Sequence, residues 1–74
     1  MYYITKKNQN NDLLFWNARY KNFNYSSGSP YGSLSSAKEA FSRIVATYNI
    51  SSSDVEIMSY ETVINYVNRI NTNQ

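Results

Sequence analysis

Neither cysteine nor histidine occurs anywhere in the 74 residues. That double absence constrains the fold more than any motif does. A chain this short buries only about 60% of the surface its unfolded form exposes. Domains of this size commonly add disulfides or a structural metal. Disulfides need cysteine, and zinc, haem and iron–sulfur centres are held chiefly by cysteine and histidine. The five acids (Asp12, Glu39, Asp54, Glu56 and Glu61) are scattered and show no EF-hand spacing. No metal and no cofactor is therefore expected, and the core must rest on packing alone. Eight tyrosines, three phenylalanines and one tryptophan supply the apolar mass for it. So small a domain cannot hide every ring, and tyrosine tolerates the surface because its hydroxyl stays wet while the ring packs.

Along the chain, local pattern predicts one domain over residues 1–74, of α+β class, with the order β-β-α-β-α. Residues 2–7 are rich in β-formers and read as a strand. The polar run Asn8–Asp12 reads as a hairpin loop. Residues 13–25 read as extended, with a break near Asn17. Alternation assigns Leu14, Trp16, Ala18 and Tyr20 to the core face. It assigns Phe15, Asn17, Arg19, Lys21, Phe23 and Tyr25 to an outer, mixed cationic and aromatic face.

Residues 26–33 hold both glycines and the only proline and read as a loop. Ser36-Ala37-Lys38-Glu39 matches a capping box at the start of a helix. Ala37, Ala40, Phe41, Ile44, Val45 and Tyr48 then follow one helical face, and Asn49 is a suitable stop. Val55–Met58 reads as a strand buried through Val55 and Ile57. From a Ser59 cap, Tyr60, Val63, Ile64, Val67 and Ile70 follow a second helical stripe. A competing alternation through Val63, Asn65 and Val67 would make 62–67 a strand; the helix is preferred. Residues 71–74 are expected to fray. The two helices are expected on one face of a small antiparallel sheet.

The inventory argues against catalysis. Acid–base and nucleophilic chemistry most often use histidine, cysteine or an activated serine. Here only serines near Lys38, or Glu56 with Glu61, remain, and a helix cap and two exposed carboxylates account for them. The glycines Gly28 and Gly32 are not followed by the Lys-Ser/Thr of a phosphate loop. A non-enzymatic protein is expected.

Charge is unevenly distributed. Residues 1–30 set Lys6, Lys7, Arg19 and Lys21 against Asp12, a balance of +3. Residues 31–74 set three cations against four acids, a balance of −1. Two readings of the basic hairpin follow. As a protein-binding surface, it would use Arg19, Lys21, Phe23, Tyr25 and, in the following loop, Tyr31 as anchors. As a weak single-stranded nucleic-acid binder, it would hold phosphates through Lys6, Lys7, Arg19 and Lys21. Lysines on a hairpin also serve simply as a solvated face, or as guards of an edge strand. Exposed rings that pair with another copy of the chain would give a homo-oligomer. The first residues turn charged at Lys6-Lys7, and the longest apolar run, Leu13–Trp16, is far too short for a bilayer, so a soluble cytoplasmic protein and no membrane partner are expected.

The layout resembles small phage and prophage accessory proteins of low-GC Gram-positive hosts. The resemblance is carried by the N-terminal Tyr2-Tyr3-Ile4 strand, the aromatic Phe15-Trp16, the helix opening Ser35-Ser36-Ala37-Lys38-Glu39-Ala40 and the returning Val55-Glu56-Ile57. It covers most of the chain and transfers no functional residue. It implies an inhibitor in the host cytoplasm that sterically blocks a larger host protein, for instance a CRISPR defence effector. The mildly basic charge departs from that of strongly acidic, DNA-mimicking inhibitors.

Overall fold

The computed structural model describes residues 1–72, and side chains through residue 69. Strands β1 (Tyr2–Lys7), β2 (Leu13–Asn17) and β3 (Asn22–Asn24) precede helix α1 (Leu34–Tyr48). A short 3₁₀ turn at Ser52–Asp54 leads into β4 (Val55–Ser59) and helix α2 (Tyr60–Thr72). All neighbouring strands are antiparallel, in the order β3-β2-β1-β4. The expected α+β class, antiparallel sheet and two helices are all present. Among the described residues, no helix is long and apolar enough to cross a membrane.

Local chemistry explains most boundaries. In the β1–β2 loop, the Asn8 side-chain carbonyl accepts the N–H groups of Asn10 and Asp12 at 2.9 and 3.0 Å. Asn11 supplies the left-handed residue at φ 67°. Asn49 ends α1 in the left-handed region, φ 52° and ψ 46°, as its short polar side chain permits. The Ser59 hydroxyl accepts the Thr62 N–H at 3.2 Å and so caps α2. Residues 62–67 are thus helical rather than a strand, and Asn71 and Thr72 continue the helix. The expectations for the Ile70 side chain and for residues 73 and 74 lie outside the described residues.

Three expectations need correction. The α1 cap is Ser33, three residues before the expected one. Its hydroxyl accepts the Ser36 N–H at 3.1 Å, while its own N–H reaches the Ser36 hydroxyl at 3.4 Å. The reciprocal box therefore closes through a serine, and Glu39 plays no part in it. The reason is that Ser33 is extended (φ −138°, ψ 157°), so the helix runs back as far as a side chain can cap it.

Residues 13–25 are a hairpin rather than one extended segment. The turn Ala18–Lys21 reverses the chain, and the new register places Phe23 opposite Trp16. Ala18 and Tyr20 are consequently exposed, whereas Phe23 packs on the core. Period-two counting across a turn loses the phase, because turn residues do not alternate.

The helices also lie on opposite faces. Ile4, Trp16 and Val55 share one sheet face and form the main core with Ala40 and Ile44 of α1. Phe23, Phe41 and Ile57 pack against it. Tyr3, Thr5, Phe15 and Met58 occupy the other face by strand alternation. There Met58 is buried, as is Val63 of α2, and Lys7 lies over the Tyr66 ring of α2 at 5.4 Å. Thr5, 1% exposed on this second face, donates its hydroxyl to the Glu56 carbonyl at 3.1 Å. Covering each face with a helix buries Ile4 on the α1 side and Thr5 on the other, at 0% and 1% exposure. Full burial of a side chain such as that of Ile4 contributes about 1.5–3 kcal/mol.

Candidate functional site

The β2–β3 turn is built by one side chain. The Asn17 side-chain carbonyl accepts the N–H groups of Arg19 and Tyr20 at 2.9 and 3.0 Å. Its amide donates to the Ser27 hydroxyl at 3.0 Å. Lys21 closes the turn in the left-handed region at φ 55°, a conformation that costs a residue bearing a Cβ about 1–2 kcal/mol.

The segment after β3 straps the second sheet face. Its Ser29 N–H donates to the Trp16 carbonyl at 2.8 Å, and its Ser29 hydroxyl accepts the Ala18 N–H at 2.8 Å. Gly28 lies directly on Phe15, where a Cβ would come within 2.7 Å of the Phe15 Cβ. Tyr31 then exchanges both backbone hydrogen bonds with Tyr2, each at 2.8 Å. The loop that carries Tyr31, one of the proposed anchors, thus spends the Ser29 and Tyr31 backbone groups on holding the fold.

Between this turn and α1 lies a groove of about 320 Å³. Its floor is apolar: Trp16, Ala40 and Ile44, all buried. Lys21 from the turn and Arg43 from α1 line it, with Tyr31 and Tyr48, and no carboxylate is among its lining residues. Tyr48 meets the Trp16 ring at 5.4 Å between centroids and is 43% exposed. Tyr20, 64% exposed, stands in the same turn beneath the Arg19 guanidinium, 5.7 Å from its ring centre. The arrangement is an apolar slot lined by two cations and tyrosine rims, suited to an apolar side chain carried beside a carboxylate.

The structure brings together only part of the sequence-derived site. Lys21 and Tyr31 line the groove, and Arg19 is in the adjoining turn. Phe23 is half-buried and packs edge-on against Trp16. Tyr25 is 64% exposed but stands by the β1–β2 loop, its hydroxyl accepting the Asn8 amide at 2.9 Å. Lys6 and Lys7, adjacent on a strand, point to opposite faces. Their ammonium groups lie over Phe23 and Tyr66, at 5.7 and 5.4 Å. The four cations proposed for phosphate binding thus do not form one strip. A second, wider hollow of about 690 Å³ beside Lys6 and Lys7 also contains Asp54 and Glu56, which balance its charge.

Arg43, Tyr48 and Tyr20 were not part of the sequence-derived site. Arg43 had a readable signal: it lies three residues after Ala40 and beside the Ala40–Ile44–Tyr48 stripe, so its base follows the core edge. Among the described residues, no three His, Cys, Asp or Glu side chains gather where a metal ion would sit. Compared with protein-family models, with curated proteins and with solved structures, the chain matches none.

Proposed function

We propose that the chain is a non-enzymatic protein-binding module that docks through the turn Ala18–Lys21 and the adjoining face of α1. The observation that carries this reading is the groove over Trp16, Ala40 and Ile44, flanked by Lys21 and Arg43 and free of lining carboxylates. Buried apolar floors with arginine and tyrosine at the rim are the composition of energetic anchor sites between proteins. The partner is then a larger protein presenting an apolar residue among acidic ones. The resemblance to phage accessory proteins supports a host protein, and steric occlusion of a host surface as the mechanism.

A single-stranded nucleic acid fits this geometry less well. A basic groove that tracks the phosphates is needed, and the Lys6 and Lys7 ammonium groups lie apart, over Phe23 and Tyr66 on opposite sheet faces. The proposal is tested by capture from a bacterial host lysate with the wild-type chain and with a Lys21→Glu, Arg43→Glu double variant. Anisotropy titrations with single- and double-stranded oligonucleotides at low and moderate salt run beside it. A protein retained by the wild type and lost by the variant is the expected result. Oligonucleotide binding that weakens steeply with salt would replace this reading with phosphate recognition.

A further inference from the structure

The four-stranded sheet ends on one side at β3, three residues long, and on the other at β4, five residues long. The direction of the β4 backbone groups follows from the ladder. Tyr2 exchanges both backbone bonds with Tyr31, on the β2 side of β1. Successive residues of an antiparallel strand point their polar groups to opposite sides. Tyr3 and Thr5 therefore aim theirs at β4, where they face Met58 and Glu56. Val55, Ile57 and Ser59 aim theirs outward. Among the described residues no strand lies beyond β4, and no hydrogen bond from another segment reaches the N–H or C=O of Ile57.

Exposed edges are normally guarded by charged side chains, lysine above all, by proline or by a bulge. β4 reads Val-Glu-Ile-Met-Ser and contains neither lysine nor proline, and its pairing with β1 runs through five consecutive partners without a bulge. The outward residues 55, 57 and 59 are also symmetric about Ile57. An antiparallel second copy centred there sets Ile57 against Ile57 and Val55 against Ser59. It sets Glu56, the strand's one charge, against Met58 rather than against another Glu56. Like charges do not meet, and the half-buried Ile57 side chains adjoin on the α1 side of the sheet.

We propose that β4 is the seam of a homodimer, in which two copies pair their β4 strands antiparallel about a two-fold at Ile57 and join their sheets into one. The seam is at the opposite edge of the sheet from the β2–β3 turn, so the groove over Trp16 remains open in each copy. This inference is independent of the protein-binding proposal, and either can fail alone.

The test combines mass with a distance. Sedimentation velocity from micromolar to millimolar chain should show the mass rise to twice 8.6 kDa. The chain has no cysteine, so Glu56→Cys accepts a single nitroxide label. In the proposed register the two labels occupy diagonal positions roughly 7–8 Å apart, their Cβ atoms somewhat closer, and the spectrum should broaden by dipolar coupling. A chain made by chemical synthesis with N-methyl-Ile57 loses only the outward N–H and should associate about tenfold more weakly or worse. A monomer throughout the range, a dimer without broadening, or undiminished association of a folded N-methyl chain would each overturn the proposal.

Discussion

The rings of Trp16 and Phe23 meet edge to face, their centroids 5.3 Å apart and their planes at 62°. This pair joins β2 to β3 across the turn that shapes the groove, and the Trp16 ring is also the groove's floor. Phe23 therefore acts on the site through the fold. Phe23→Ala is expected to cost about 2–3 kcal/mol, below the range for a fully buried phenylalanine because the ring is half-buried. Urea unfolding followed by Trp16 fluorescence measures it; a loss under half a kcal/mol would return Phe23 to the surface.

The two glycines should respond in opposite senses. Gly28→Ala forces a Cβ to within 2.7 Å of the Phe15 Cβ, and overpacking of this kind costs about 1–3 kcal/mol. Gly32→Ala meets nothing within 4 Å, and no glycine has a positive φ. It is expected to stabilise by about 0.4–1 kcal/mol, through a less flexible unfolded chain. Thermal unfolding of the two single variants decides the contrast.

The α1 cap distinguishes two candidate boxes in the sequence, Ser33 with Ser36 and Ser36 with Glu39. Ser33→Ala removes the acceptor for the Ser36 N–H and should cost about 1 kcal/mol. Glu39→Gln should leave stability within about 0.5 kcal/mol, as for an exposed position outside the cap. Equal losses in the two variants would contradict the Ser33 cap.

Lys21 separates stability from binding. Its left-handed conformation suits glycine, so Lys21→Gly should raise stability by about 1 kcal/mol. The same change removes one of the two cations lining the groove and should weaken capture of the partner. Stability and affinity moving together would argue that Lys21 serves only the turn.

Much was legible in the residues themselves. Without cysteine the chain forms no disulfide, and side-chain periodicity located β1, β4, α1 and α2 to within a few residues. Those signals are local: a strand alternates, a helix repeats, and Asn49 tolerates a left-handed stop. What the tertiary structure decided is everything that depends on phase across a turn or on which face an element covers. The turn at Ala18–Lys21 brought Phe23 inward and left Tyr20 outside. The crossing of α1 placed Arg43 beside Lys21, which is 22 positions away in sequence. Placing α2 on the second face left β4 as the sheet's five-residue edge. Such juxtapositions are set by long-range packing of faces that look equivalent to the local chain, and only burial in the folded protein distinguishes them.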